Sequence, residues 1–230
     1  MKPAFKRRRF VAALVAVAGA VAILLLHPDL QQPITPAVDS SVEANGDAIA
    51  ALNELDVKGR APKTGYTRAQ FGDGWAKQRG CDTRNIILHR DLTATAVNDK
   101  CQVISGELHD PYTGKTVQFQ RGEGTSDDVQ IDHVVALSDA WQKGAQQLLT
   151  AEREQLANDP LELLAADGAA NQQKSDGDAA TWLPSNKAFR CQYVARQVAV
   201  KKKYRLWVTG AEKEAIARIL ATCPGQALPK

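Results

Sequence analysis

The 230-residue sequence predicts an α+β fold, and three stretches carry that prediction. "CQVISGELHDPYTGKTVQFQRG", Cys101 to Gly122, alternates apolar and polar residues on both sides of the turn-forming "DPYTG", the pattern of a β-hairpin. "VQIDHVV" and "LELLAAD" are two further runs of strand type, separated by a helical pattern. After "LPS", Phe189, Tyr193, Val200 and Tyr204 recur at helical spacing and a second helix follows, giving a C-terminal helical pair.

Taken in order, the chain opens on a basic flank with Lys2, Lys6, Arg7, Arg8 and Arg9, followed by an uncharged apolar run, Phe10 to Leu26. As a helix at 1.5 Å per residue the run spans about 26 Å, a little under a hydrocarbon core of about 30 Å. A basic flank before an apolar run stays on the cytoplasmic side and directs the rest outward. Residues 1–26 therefore read as a targeting segment, either a cleaved signal peptide or an uncleaved signal anchor that ties the chain to the membrane. No small-residue cleavage context precedes His27, and "TPAVDS" offers one further on. The charge balance shifts accordingly. The whole chain is +3, but residues 1–26 hold five basic residues and no acid, which leaves 24 basic against 26 acidic in the exported part. The basic balance is thus no argument for nucleic-acid binding.

Residues 27–46 are rich in Pro, Ser and polar residues and read as a disordered linker. The domain then spans 47–230. "DAIAALNELDVKGR" carries Ile49, Leu52 and Leu55 on one helical face. "APKTGYTRAQFGDGW" is Gly-rich and reads as loop, and "CDTRNIILHRDL" has no decisive period. After the hairpin and the strand "VQIDHVV", the stretch "LSDAWQKGAQQLLTAEREQLAND" places Trp141, Ala145, Leu148/Leu149 and Leu156 on one stripe, a single helix capped by Ser138. "LELLAAD" is a strand and "GAANQQKSDG" a short helix. "TGAE", Thr209 to Glu212, is a capping box opening the last helix, which "CPG" ends.

There are four cysteines and no C-x-x-C pair, which speaks against structural zinc and, in an exported chain, for two disulfides. If the last two helices run antiparallel, Cys191 at the start of one meets Cys223 at the end of the other. The expected pairs are Cys191–Cys223 and, by default, Cys81–Cys101.

Asp132 and His133 interrupt an otherwise apolar strand, and Asn171 and Lys174 lie one helical turn apart on the short helix. Strand with Asp-His, insertion, strand, then helix with Asn-x-x-Lys is the order of a ββα-metal finger, here with its core at about 129–178. Phosphodiester cleavage needs an activated water, an electrophile on the phosphate and help for the leaving oxygen, and a hard cation serves the last two. Such a cation takes oxygen ligands and keeps waters, so the Asp132 carboxylate and the Asn171 amide suffice. A neutral His133 is the natural base for water, and Lys174 can meet a phosphate oxygen. Neighbours in a regular strand face opposite ways, so Asp132 and His133 serve one phosphate only if the strand bends or the site lies at its edge.

"GYTRAQFGDGW", "GCDTRN", "DPYTGK", "IDHVVALSDAW", "NDPLELLAADGAANQQKSDGDAATWLP" and "CQYVARQVAVKKKYRLWVT" together cover most of residues 58–224. In these words the chain resembles the HNH endonuclease superfamily. It looks closest to exported actinobacterial HNH-family proteins that share a domain with the C-terminal part of GmrSD-type restriction enzymes. "NQQKSD" also resembles the matching helix of the HNH domain in RNA-guided CRISPR nucleases. The resemblance implies Asp132 and Asn171 as ligands of one divalent metal, Mg²⁺ or Mn²⁺, and His133 as general base. The family's middle Asn usually stands in a phrase like "PLNLL", where it holds the His-bearing loop. Here Glu162 stands in "PLELL", able to accept a hydrogen bond from imidazole or backbone, to raise the His133 pKa if close, or to bind metal itself.

Between Gly122 and Asp178 the only bases are Lys143, Arg153 and Lys174 among many acids, whereas Lys187 to Arg205 contains no acid. Arg190, Lys201, Lys202 and Arg205 on that stretch are the expected contacts to a nucleic-acid backbone, which carry no base code. Trp141, Trp182 and Trp207 read as core, and His89 and His109 as structural or surface residues. The reading that results is a metal-dependent endonuclease of low sequence specificity acting on DNA or RNA and leaving 5′ phosphates. The alternative is a catalytically weak nucleic-acid or cell-envelope binding module. No H-E-x-x-H or G-x-S-x-G phrase supports another exported hydrolase.

Overall fold

Asp110 sets the first sheet by closing its turn. Its Oδ2 accepts from the Thr113 backbone N–H at 2.7 Å and from the Thr113 hydroxyl at 2.5 Å, and Gly114 supplies the φ of +76° that the turn requires. The flanking strands β4 (Val103–His109) and β5 (Thr116–Gln120) pair antiparallel, as the alternation predicts. Strand β3 (Thr93–Val97), not foreseen from the sequence, adds to the other edge of β4. The computed structural model describes residues 47–229, so the apolar run and the linker lie outside the described residues. Among the described residues no helix is long and apolar enough to cross a membrane.

The undecided stretch after Cys81 is helix α2 (Thr83–Asp91), started by Asp82, whose side chain accepts from the Asn85 N–H at 2.8 Å. It follows a small ribbon of β1 (Lys77–Gln78) and β2 (Cys81–Asp82). Upstream stands α1 (Ala48–Glu54), N-capped by Asp47. Both expected disulfides are present, with Cα atoms 5.4 Å apart for Cys81–Cys101 and 6.4 Å for Cys191–Cys223.

The centre of the molecule is a two-stranded antiparallel sheet, β6 (Val129–His133) against β7 (Leu163–Asp167). It is covered on both faces. Val129, Ile131, Leu163 and Ala165 pack with Ile87 and Leu88 of α2 and with Leu108 and Phe119 of the first sheet. Leu164 and Ala166 pack on the opposite side with Leu52, Val194, Val198 and Ile216. Two-sided burial explains why these strands read as nearly continuous apolar runs. Helix α5 (Gly168–Lys174) follows β7 without a loop, because Asp167 ends the strand and caps the helix at the Ala170 N–H, 2.8 Å away. The Gly168 N–H donates to the Asp128 carbonyl at 2.9 Å, and a Cβ at this position would collide with the Asp127 carbonyl oxygen. Only glycine lets the helix start so close to the neighbouring strand.

The stretch expected to be one helix from Ser138 is three pieces: α3 (Leu137–Gln142), a 3-10 turn at Ala145–Gln147 and α4 (Thr150–Ala157). Gly144 at φ +122° breaks it, and Ser138 lies buried inside α3 instead of capping it. Most of the stripe survives the break, since Trp141, Ala145, Leu148 and Leu156 share one cluster with Phe71, Val200 and Tyr204, whereas Leu149 before α4 is turned to solvent. The C-terminal pair is α6 (Arg190–Lys203), entered through a 3-10 turn at Lys187–Phe189, and α7 (Gly210–Leu220) behind the Thr209–Glu212 capping box. Helix α6 thus starts later than the "LPS" phrase suggests.

A closed ionic knot joins these helices. The Lys143 ammonium lies 2.7 Å from each of Asp139 Oδ1, Asp178 Oδ2 and Glu212 Oε2. Lys201 meets Glu212 Oε1 at 3.0 Å and Asp139 Oδ2 at 3.4 Å, and Arg60 closes the rim on Asp139 at 2.8 Å and Asp178 at 2.7 Å. Burial opposes the Lys201 charge, but Glu212 and Asp139 outweigh it and hold the ammonium above its usual range.

Candidate functional site

Strand β6 ends at His133, and Val134 and Val135 leave the sheet. Asp132 lies opposite Leu164 and His133 opposite Leu163, so the two side chains start from opposite faces. The strand end resolves the conflict: both line one hollow of about 210 Å³, together with Asn171, Arg68, Tyr66 and Asp176.

Asp132 is 5% exposed. Its Oδ2 accepts from the Tyr112 hydroxyl at 2.5 Å and its Oδ1 from the Lys174 ammonium at 2.8 Å. Burial raises the Asp132 carboxyl above its ordinary value, against the pull of Lys174 and Tyr112. Burial, and then the charge of Asp132, push the Tyr112 phenol well up. Lys174 also donates to the His133 backbone carbonyl at 2.8 Å and is itself sealed at 2% exposure. This corrects the sequence reading. Lys174 does not reach toward a phosphate; it fixes the Asp132 carboxylate to the end of the strand.

His133 is buried, with Nε2 at 3.0 Å from the Ala157 carbonyl oxygen. A carbonyl only accepts, so Nε2 carries the proton and Nδ1 keeps the lone pair. Ala157 is the last residue of α4, where helix carbonyls lack partners within the helix. The Trp75 ring lies parallel to the imidazole, at 4° and 5.8 Å between centroids. Burial pushes the imidazole pKa down to about 3, against the Ala157 hydrogen bond. The ring is therefore neutral, the form a base requires.

Glu162, just before β7, is fully buried. Its Oε2 accepts from the Val135 N–H at 3.1 Å, and its backbone carbonyl accepts from the Val134 N–H at 2.9 Å. It therefore straps the two residues that follow His133, and no hydrogen bond joins it to the imidazole. The contact to the imidazole that the sequence reading allowed Glu162 is not made. Burial raises its carboxyl well above the usual range.

Asn171 on α5 donates through Nδ2 to Gln130 Oε1 at 2.8 Å, which leaves its carbonyl oxygen as the unused acceptor. Asp132 has one lone pair engaged on each oxygen and retains others. Two hard oxygen ligands on one polar hollow fit a divalent cation that keeps most of its waters. Among the described residues no group of three or more His, Cys, Asp or Glu could build an all-protein cage.

The expected backbone contacts are scattered. Lys201 is sealed inside the ionic knot and is not available to phosphate. Arg190 donates to the Pro184 carbonyl at 2.7 Å, while Lys202 pairs with Glu54 at 2.7 Å and Arg205 with Glu152 at 2.5 Å. The last two are exposed pairs, which exchange readily, but none of the four lines the hollow. Two residues beside His133 escaped the sequence reading. Trp75 stacks on it, and Arg68 lines both this hollow and a second of about 280 Å³ across the imidazole. The only signal was their place in the Gly-rich word "GYTRAQFGDGW".

Comparison with known proteins bears on this arrangement. No solved structure matches the chain. An "Uncharacterized secreted protein" of Arthroderma benhamiae (strain ATCC MYA-4681 / CBS 112371) is 35% identical over 211 residues, 91% of this chain and 98% of that protein. Residues 82–219 match the model of the family described as "GmrSD restriction endonucleases, C-terminal domain", a description that suggests a nuclease-related function and a nucleic-acid substrate. That match covers β2 through most of α7, including Asp132, His133, Glu162 and Asn171, and by it the chain belongs to the GmrSD restriction endonuclease C-terminal domain family.

Proposed function

We propose that the protein is an exported, metal-dependent endonuclease of HNH type that hydrolyses phosphodiester bonds of DNA, with RNA as the alternative substrate, at low sequence specificity. The observation that carries the reading is the arrangement at the end of β6: the His133 imidazole, its Nε2 held by the Ala157 carbonyl, shares one hollow with the side chains of Asp132 and Asn171. In this reading β6, β7 and α5 are the ββα-metal finger. The secreted relative supports export, and the family supports nucleic acid as substrate.

His133 Nδ1 takes a proton from water as the water oxygen attacks phosphorus. The P–O3′ bond breaks, O3′ leaves with its electron pair and takes a proton from solvent, and the product carries a 5′ phosphate. Ala157 and Trp75 hold the ring in place, Lys174 and Tyr112 hold Asp132, and Glu162 holds the turn behind His133. Asp132 and Asn171 would hold Mg²⁺ or a similar ion, which when bound supplies charge stabilisation for the phosphate and the leaving oxygen.

The test is cleavage of supercoiled plasmid by the purified protein with Mg²⁺ or Mn²⁺. Activity is expected to vanish in EDTA and to fall about 10²–10⁴-fold in His133→Ala. Wild type as inert as His133→Ala with every ion tried defeats the reading. One observation favours a second reading, a nucleic-acid or cell-envelope binding module of weak catalytic power: Lys174 already neutralises Asp132. Binding without cleavage in the same experiment would select it.

A further inference from the structure

We infer that Arg68 is the residue that grips the scissile phosphate, the task that the sequence assigned to Lys174. The inference rests on the nuclease reading. It begins from the charges around the 210 Å³ hollow, which otherwise cancel in pairs. Lys174 lies on Asp132 at 2.8 Å, and Lys63 lies on Asp176 at 2.9 Å. His133 is neutral. Arg68 is left over: it is exposed, and among the described residues its guanidinium makes no hydrogen bond or ion pair. A phosphodiester entering the hollow meets carboxylates that are already paired and one cation with an open fork. Guanidinium geometry matches two phosphate oxygens at once.

The mount of Arg68 is fixed although its side chain is free. Arg68 opens a 3-10 turn, Arg68–Phe71, whose Phe71 is buried against Trp141 at an edge contact of 6.3 Å. The Arg153 Nε donates to the Gln70 carbonyl at 2.7 Å and clamps the turn to α4. The same helix ends on the Ala157 carbonyl that orients His133. The backbone that carries Arg68 and the carbonyl that orients His133 are therefore tied to one helix, and Arg68 lines both hollows that His133 lines. A cationic donor whose backbone is fixed beside the place where charge develops can strengthen its contact in the transition state. Negative charge on the non-bridging oxygens builds as the water oxygen bonds to phosphorus and the P–O3′ bond lengthens; Arg68 receives it without exchanging a proton.

The experiment is steady-state cleavage of a duplex oligonucleotide by the purified protein carrying Arg68→Ala, Arg68→Lys, or Lys77→Ala, an exposed lysine of β1 outside both hollows, as control. Arg68→Ala is expected to lower kcat about 10²–10³-fold, with KM changed only several-fold. Arg68→Lys should recover part of the loss, since the charge returns without the fork. Lys77→Ala should match wild type, and melting temperatures should agree among all four because Arg68 is exposed. An Arg68→Ala protein within twofold of wild type in kcat, or one changed in KM alone, overturns the assignment while leaving the nuclease reading intact. An inert wild type overturns the nuclease reading, and the assignment falls with it.

Discussion

Two groups of buried charge lie within this fold, one around Lys143 and one around Asp132. Around Lys143 three cations, Lys143, Lys201 and Arg60, face three carboxylates, Asp139, Asp178 and Glu212. The Lys143 ammonium meets three carboxylate oxygens at 2.7 Å and donates hydrogen bonds to two of them, Asp178 Oδ2 and Glu212 Oε2. Around Asp132 one ammonium and one phenol hold the carboxylate, and a hollow of about 210 Å³ opens beside it. Among the described residues the Asn171 carbonyl and the His133 Nδ1 accept no hydrogen bond. Burial of charge is common to both, so burial does not mark the site. Unused lone pairs beside open space do. The closed knot ties α3, α6 and α7 together, and the open group is where chemistry can enter.

The closed group should break the harder of the two. Lys143→Met leaves three carboxylates facing Lys201 and Arg60 alone, in a place sealed from water. Removing one partner of a buried ionic group costs about 3–5 kcal/mol, because the remaining charges keep their desolvation penalty. Urea unfolding with an unchanged m-value reads this directly. A loss below about 1 kcal/mol would mean that water reaches the knot and that its closure is overstated.

Lys174→Met sharpens the contrast. It also strips an ammonium from a buried carboxylate, so the protein should lose stability in EDTA. Here, however, a cation from solution can take the vacant place. At one Mg²⁺ concentration used for all three proteins, Lys174→Met should gain more stability than wild type, in which Lys174 competes with the ion for Asp132. Lys143→Met should gain no more from Mg²⁺ than wild type does. Equal responses of the two variants, in either direction, would remove the distinction between open and closed groups. The readout is thermal unfolding with and without Mg²⁺, independent of cleavage.

The sequence made the site legible where it is local. Asp132 and His133 end one strand, Asn171 sits in the helix that follows the paired strand, and Cys191–Cys223 follows from helix direction, which leaves Cys81–Cys101 by default. It misled where a long side chain chooses its direction from tertiary surroundings. Lys174 lies among polar neighbours, "NQQKSD", yet turns inward to Asp132. Lys201 sits in a run of three lysines, of which only this one is buried. A signal was present: Val194, Gln197, Val198 and Lys201 follow the buried stripe of α6, so helical spacing separates Lys201 from Lys202 and Lys203. The helix expected from Ser138 broke because Gly144 takes a left-handed φ, which apolar periodicity does not register. Arg68 and Trp75 gave no periodic signal, since they are placed by a loop packed on α4 and the Gly-rich stretch around them.

Glu162 gives the smallest expected effect and tests the open group through pH. Its carboxyl is buried, and the charges that face it are Asp132, which raises its pKa, and Lys174 and Lys201, which lower it less than burial raises it. The folded-state pKa therefore lies above the unfolded value near 4.5. Above that value the unfolded chain releases a proton that the folded chain keeps, so this group's contribution to stability is present at low pH and is lost as pH rises through the window up to the folded pKa. Glu162→Gln keeps the acceptor for the Val135 N–H and has no proton to release. The stability of wild type relative to Glu162→Gln should fall as pH is raised from 5 to 8, by on the order of 1 kcal/mol per pH unit at most. Parallel stability curves would show that Glu162 is ionised in the fold. In that case Oε1, which has no hydrogen-bond partner among the described residues, would share a buried charge.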